Sequence, residues 1–142
     1  MQEQLSRTEM LIGSDGLEKL KHARVAVFGI GGVGGYVAEA LGRAGVGALT
    51  LVDKDTVSIS NINRQIIALS STVGQLKTEV MRQRILGINS ACQVRCIDKF
   101  VLPETIGDFD FSAAIINIFD LLILGKKQDL GQDLGGLRIL VD

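Results

Sequence analysis

Six residues at positions 29–34, Gly-Ile-Gly-Gly-Val-Gly, constrain the fold of this chain more than any other segment. They follow the compact β-rich run from Arg24 to Phe28, and from Val33 onward apolar residues recur at helical spacing. A strand, a glycine-rich turn and a helix in this order bring backbone N–H groups to a phosphate at the positive end of the helix. The segment therefore predicts a nucleotide site formed by Gly29, Gly31, Gly32 and Gly34.

The rest of the chain alternates between strand and helix patterns. Further β-rich runs lie near residues 48–53, 93–98 and 113–118, and the apolar spacing between them is helical. This alternation favours an α/β fold with a mainly parallel sheet, Rossmann-like, with helices on both faces. We expect one nucleotide-binding domain over residues 1–142 whose second half is incomplete. Its parts are an N-terminal helical segment (1–23), a nucleotide-binding core (24–120) and a divergent tail (121–142).

Composition narrows the class of protein. Of the 142 residues, 46% are apolar and 22% are charged, which excludes a disordered chain. The net charge of −1 gives no general basic field for nucleic acid. The first residues lack the basic and apolar regions of a signal peptide, and the apolar-rich run from Ala113 to Leu124 is shorter than the ~20 residues of a membrane span. We expect a cytoplasmic protein with no membrane association.

The residue that ends the second predicted strand is Asp53. At this position a carboxylate accepts hydrogen bonds from the ribose of a bound nucleotide. No G-x-x-x-x-G-K-[ST] run exists in the chain, which excludes a P-loop kinase or GTPase. The glycine turn and Asp53 do not distinguish NAD from ATP, so an NAD-binding Rossmann domain stays open at this point.

Two segments after Asp53 carry a family resemblance. Residues 54–65 read Lys-Asp-Thr-Val-Ser-Ile-Ser-Asn-Ile-Asn-Arg-Gln, and residues 74–77 read Gly-Gln-Leu-Lys. With the glycine turn, they resemble in order and spacing the ubiquitin-activating-enzyme-like adenylyltransferases, over roughly residues 6–120. Within that family they look most like the tRNA threonylcarbamoyladenosine dehydratases. The resemblance implies ATP-dependent adenylation of a carboxylate on a modified tRNA nucleoside, followed by cyclisation.

The resemblance also implies which residues bind ATP and catalyse. Attack of a carboxylate on the α-phosphorus joins two anions and expels pyrophosphate, so fixed cations are the main catalytic device available. We expect Arg64, Lys77 and Arg7 to act catalytically, Arg7 by reaching the γ-phosphate across a homodimer interface. Phosphate contacts are expected from Gly31, Gly32, Asn61, Arg64 and Lys77, and the ribose contact from Asp53.

The sequence departs from the family after the fourth predicted strand. Family members place two acids there, and the second assists the metal bound to the triphosphate. Here Asn117 occupies the first position and Asp120 the second. The resemblance therefore implies Mg²⁺ with ATP, and Asp120 as the metal residue. Because the family pattern is lost beyond Asp120, we expect a truncated or divergent chain that binds ATP weakly and does not turn over.

Three alternatives to a tRNA dehydratase remain at this point. The first is an adenylyltransferase for a ubiquitin-like sulfur-carrier protein, with that carrier or a sulfur-transfer protein as partner. The second is the NAD-binding domain, which is disfavoured because Asn61, Arg64 and Lys77 would then have no task. The third is a non-catalytic nucleotide-binding fragment.

Overall fold

The computed structural model describes residues 3–99 and 114–117. Short 3₁₀ turns lie at Glu3–Leu5 and Ile59–Asn61. The helices and strands, in chain order, are α1 (Ser6–His22), β1 (Arg24–Phe28), α2 (Gly34–Ala44), β2 (Ala48–Val52), α3 (Lys77–Ile88), β3 (Gln93–Ile97) and β4 (Ala114–Asn117).

The four strands form one sheet in the order β3-β2-β1-β4, and every pair is parallel. Phe28, the last residue of β1, pairs with Val52 of β2 and with Asn117 of β4. The predicted parallel α/β sheet is confirmed, with each strand slightly shorter than its predicted range. The strand order reverses at β1, and in open parallel sheets such a reversal opens a crevice at the carboxyl ends of the strands.

Helices α2 and α3 pack together on one face of the sheet. The buried core there includes Val27 and Leu51 from the strands and Met81 and Ile85 from α3. Gly42 of α2 faces Ile85 of α3, and a Cβ at Gly42 would lie in ordinary contact with Ile85, 3.4 Å from its Cγ2. The sequence predicts helices on both faces of the sheet. The connection from β3 to β4, where a helix on the second face was expected, lies outside the described residues.

The N-terminal helix α1 is broken at Gly13, whose φ of 72° and ψ of 173° are not helical. Both of its ends lie near the edge of the sheet where the strands begin. Leu5 is buried against Gly45, and the N–H of Gly47 donates to the carbonyl of Leu20 at 3.0 Å. The predicted helical segment at the N-terminus is therefore present, anchored at the amino edge of the sheet.

Within residues 3–99 and 114–117, no helix combines the length and apolar character needed to cross a bilayer. The tail predicted over 121–142 lies outside the described residues. The prediction that Asp120 binds metal concerns the same undescribed part of the chain.

Candidate nucleotide site

The glycine turn lies directly beyond the carboxyl end of β1. Gly29 has a φ of +88°, a left-handed conformation that favours glycine, and its N–H donates to the carbonyl of Val52 at 2.8 Å. Helix α2 begins at Gly34. The first N–H groups of a helix have no intrahelical partner and carry partial positive charge, so the turn offers donors to an anion. The strand, turn and helix predicted from the sequence are all found here.

Asp53 ties this turn to the end of β2. Its Oδ2 accepts the N–H of Ile30 at 2.7 Å, and its Oδ1 accepts the N–H of Asp55 at 2.8 Å. A carboxylate oxygen can accept more than one hydrogen bond, so both oxygens remain able to bind a ribose hydroxyl. The predicted ribose residue therefore also supports the backbone of the turn.

Lys77 connects to the same chain of contacts. Its backbone N–H donates to the carbonyl of Asp55 at 3.0 Å, and its Nζ lies 3.4 Å from Oδ2 of Asp55. The side chain of Lys77 is only 8% exposed, whereas that of Asp55 is 54% exposed. Ile30, Asp53, Asp55 and Lys77 thus form one hydrogen-bonded series running from the glycine turn to the start of α3.

The ammonium group of Lys77 is buried at a place where positive charge is unfavourable. Lys77 is the first residue of α3, where the helix dipole already places positive charge. Burying an ammonium group at that end is unfavourable unless anions compensate it. Asp55 supplies one carboxylate, at a long 3.4 Å and largely in solvent. The arrangement is typical of a lysine that meets a further anion when a ligand binds.

Arg64 lies against the glycine turn from another segment. Its Cγ and Cδ are 3.8 and 3.9 Å from the place where a Cβ on Gly32 would lie. Its Nη1 donates to the carbonyl of Ser60 at 3.0 Å and to Oδ1 of Asn63 at 2.9 Å. The aliphatic part of Arg64 therefore lies against the turn, while its guanidinium is held by Ser60 and Asn63 of its own loop.

Asn61 is buried and shapes the segment that carries Arg64. Its Oδ1 accepts the N–H of Ser58 at 2.9 Å, and its backbone carbonyl accepts the N–H groups of Arg64 and Gln65 at 3.1 and 2.9 Å. Because Oδ1 is engaged locally, the side-chain NH₂ group is the part suited to a phosphate. The structure thus gives Asn61 a structural role in addition to the predicted phosphate contact.

Arg7 is exposed, two residues after Leu5 at the amino edge of the sheet. The glycine turn lies at the opposite edge, beyond a five-residue strand that is ~17 Å long. The structure therefore does not bring Arg7 together with the glycine turn of its own chain.

A cavity of about 570 Å³ lies away from the glycine turn. Its described lining residues come from the three strands β1–β3 and the segments that precede them, and none comes from residues 29–34 or 53–77. Among the described residues, no cluster of three or more histidine, cysteine or acidic side chains could hold a metal ion.

Sequence reasoning gave no role to two residues that the structure places at the site. Asp55 pairs with Lys77, and Gln65 is buried with its amide nitrogen 3.7 Å from the place of a Cβ on Gly31. Both lie inside the segment 54–65 that carried the resemblance. Their position in that segment was the one indication in the sequence that they belong to the site. Their partners could not be predicted, because these depend on how the loop folds.

The fold and site define a parallel α/β protein with a glycine-rich turn at the carboxyl end of its first strand. Residues 5–125 match the model of the ThiF family, and the chain belongs to that family.

Relatives and solved structures agree with that assignment. The tRNA threonylcarbamoyladenosine dehydratase of Bacillus subtilis (strain 168) is 53% identical over 109 residues, which cover 77% of this chain and 43% of the relative. The molybdopterin-synthase adenylyltransferase of Escherichia coli (strain K12) is 49% identical over 75 residues, 53% of this chain and 30% of that protein. The crystal structure of E. coli tRNA N6-threonylcarbamoyladenosine dehydratase, TcdA, in complex with ATP superimposes with a TM-score of 0.81 at 41% identity, over 84% of this chain and 50% of that one. The chain thus spans half or less of each.

Proposed function

We propose that this chain binds ATP at the glycine turn and takes part in adenylating a carboxylate, the threonylcarbamoyl group of a modified tRNA adenosine. The observation that carries this proposal is the buried Lys77, joined through Asp55 and Asp53 to the backbone of the turn. An NAD site has no use for a buried cation there, whereas a triphosphate does. The similarity to dehydratases of this name supports the choice of substrate.

In the proposed reaction, a carboxylate oxygen forms a bond to the α-phosphorus while the bond from that phosphorus to pyrophosphate breaks. Negative charge builds on the oxygens that leave. Lys77 would meet this charge as a point cation and Arg64 as a planar fork of donors. Asp53 would hold the ribose and keep the phosphates at Gly31 and Gly32. A nitrogen or oxygen of the same threonylcarbamoyl group then bonds to the activated carbonyl carbon, the bond from that carbon to the AMP oxygen breaks, and the attacking group loses its proton. The nucleoside has then lost the elements of water, and ATP has become AMP and pyrophosphate.

The groups at the turn would suit a magnesium–nucleotide complex: the N–H groups of the turn and the buried Lys77 would meet the phosphates, and the Asp53 carboxylate would meet the ribose. Mg²⁺ would neutralise phosphate charge, and Asp120 stays the residue proposed to hold it. The location of Arg7 at the far edge of its own sheet supports a homodimer in which it serves the partner's site. A cytoplasmic location is proposed with this function.

A second candidate, adenylation of a sulfur-carrier protein, is favoured by the similarity to molybdopterin-synthase adenylyltransferase. Both candidates require ATP, and they differ in the molecule that carries the carboxylate.

Calorimetric titration with ATP–Mg²⁺ and then NAD tests the nucleotide. We expect saturable heat with ATP–Mg²⁺ and none with NAD; binding of NAD alone would contradict the proposal. Pyrophosphate release is then measured with threonylcarbamoyl-modified tRNA, with unmodified tRNA as the control and a full-length relative as the positive control. Because the family pattern is lost beyond Asp120, we expect little or no release by this chain itself. Release that depends on the modification supports the dehydratase. Release that depends instead on a carrier protein ending in Gly-Gly supports the second candidate.

A further inference from the structure

Gln65 carries a buried polar group that the fold itself does not use. The residue is 7% exposed, and among the described residues its Oε1 is a buried side-chain oxygen without any hydrogen-bond partner. Leaving such an acceptor unpaired costs about 1–3 kcal/mol. Groups of this kind in a native structure have an explanation, and a ligand that completes them is one.

The amide of Gln65 is directed at the glycine turn. Its Nε2 lies 3.7 Å from the place where a Cβ on Gly31 would be. The neighbouring side chain, Arg64, lies against the next glycine, Gly32, through its methylenes Cγ and Cδ. Two consecutive residues thus flank two consecutive glycines, and of these two contacts the one from Gln65 is made by a hydrogen-bond donor.

We infer that Gln65 is a nucleotide-binding residue whose NH₂ group donates to a phosphate oxygen at Gly31. The inference rests on the proposed function, because it takes the ligand to be ATP. A phosphate oxygen can only accept hydrogen bonds, so the NH₂ end of the amide is the end that meets it. Oε1 then accepts a hydrogen bond from a water molecule, since a phosphate oxygen offers it no donor.

If Gln65 binds phosphate, replacing it should weaken ATP binding without lowering the stability of the fold. Gln65→Met keeps the length and removes the unpaired oxygen, so the ligand-free variant is expected to melt at the same temperature as the wild-type chain or higher. The same variant is expected to bind ATP–Mg²⁺ about 10- to 100-fold more weakly, because a hydrogen bond to a charged phosphate is lost. A merely structural glutamine predicts the reverse: a lower melting temperature and unchanged affinity.

The experiment compares thermal melts without ligand and calorimetric titrations with ATP–Mg²⁺ at fixed salt for four proteins. They are the wild-type chain, Gln65→Met, Gln65→Glu and the control Gln83→Met, which changes an exposed glutamine of α3. Gln65→Glu keeps the shape but places a carboxylate against phosphate, so binding should fall further. It also tests the inference if the Met variant does not fold.

The outcomes of this experiment are distinct. A stable Gln65→Met with weakened ATP binding, beside an unchanged Gln83→Met, supports the inference. A wild-type chain that binds ATP while both Gln65 variants bind within twofold of it overturns the inference and leaves the proposed function intact. A wild-type chain that binds no ATP overturns both.

Discussion

The backbone N–H of Ile30 donates to the carboxylate of Asp53 at 2.7 Å, joining the turn after β1 to the residue after β2. Ile30 is fully buried in the core, so the carboxylate holds a turn whose apolar side is already anchored. The residue proposed to bind the ribose therefore also sets the position of the N–H groups proposed to bind phosphate. A change at Asp53 should affect both functions together.

Replacing Asp53 with alanine should weaken the fold as well as nucleotide binding. The N–H groups of Ile30 and Asp55 lose their acceptor, and each hydrogen bond to a carboxylate is worth about 1.5–3 kcal/mol. We expect the free energy of unfolding in urea to fall by about 2–4 kcal/mol, less than the sum because solvent reaches the exposed Asp55. Asp15→Ala, at an exposed position of α1, is the control. If the two variants unfold at the same urea concentration, the supporting role of Asp53 is wrong.

Removing the positive charge of Lys77 should weaken ATP binding and leave the stability of the fold nearly unchanged. Lys77→Met is expected to weaken ATP–Mg²⁺ about 10- to 100-fold, because one charge-assisted contact to phosphate is lost. The unfolding free energy should change little, since a buried ammonium with one exposed partner gives little net stabilisation. Calorimetric titration and urea unfolding measure the two quantities. Lys19→Met, at an exposed position of α1, should bind ATP like the wild-type chain.

Arg64→Ala should lower ATP affinity by a comparable factor. Its hydrogen bonds to Ser60 and Asn63 are solvent-exposed and contribute little to the fold. Titration with ATP–Mg²⁺ measures the effect, and Arg82→Ala on α3 provides the control. If Arg64→Ala and Lys77→Met both bind ATP with wild-type affinity, the argument that distinguishes ATP from NAD fails.

The sequence was sufficient for the parallel sheet and for the glycine turn, because strand composition and glycine spacing act locally. It also indicated that Arg64 and Lys77 belong to one site, but only through resemblance. The pairing of Lys77 with Asp55 and the burial of Gln65 depend on how residues 54–76 fold back on the sheet. No local pattern encodes that path. The sequence also indicated the N-terminal helical segment, whereas the anchoring of α1 at Gly45 and Gly47 depends on tertiary contacts.

Glu39 links α2 to α3 and predicts a pH dependence of stability. Its carboxylate pairs with Arg84 of α3 and, at 2.7 Å, with Arg43 of its own helix. The hydrogen bond from Arg84, opposed by burial and aided by Arg43, lowers the pKa of Glu39 below its ordinary value. A lowered folded-state pKa gives stability that is complete above the unfolded value of about 4.3 and is lost as the pH falls through the folded-state pKa.

Glu39→Gln should therefore be less stable than the wild-type chain at pH 7, by about 1–3 kcal/mol, because the charged pair is lost. The difference should be smaller at pH 3, because below about pH 4.3 the unfolded wild-type chain takes up a proton at Glu39 first and the stability from the charged pair is progressively lost. Urea unfolding at both pH values measures it. Glu18→Gln, in the exposed pair with Lys21, should show a smaller effect at pH 7. A Glu39→Gln effect that is equal at pH 7 and pH 3 would contradict the role of its charge.

Replacing Gly47 or Gly87 with alanine should change the free energy of unfolding in opposite directions. A Cβ on Gly47 would lie 1.8 Å from the carbonyl oxygen of Lys21, which is backbone. Gly47 cannot move away, because its N–H donates to Leu20 at 3.0 Å and its carbonyl accepts the N–H of Gln93 at 2.9 Å. Gly47→Ala should therefore lose more than about 3 kcal/mol of unfolding free energy.

Gly87 lies on the exposed side of α3, and among the described residues nothing comes within 4 Å of a Cβ built there. Gly87→Ala should gain up to about 1 kcal/mol, the difference in helix propensity. Urea unfolding of the two variants beside the wild-type chain measures both effects, and circular dichroism shows whether Gly47→Ala folds at all. The anchoring of α1 at the amino edge of the sheet would be wrong if Gly47→Ala unfolded at the wild-type midpoint, because the added Cβ would then have met no backbone of α1.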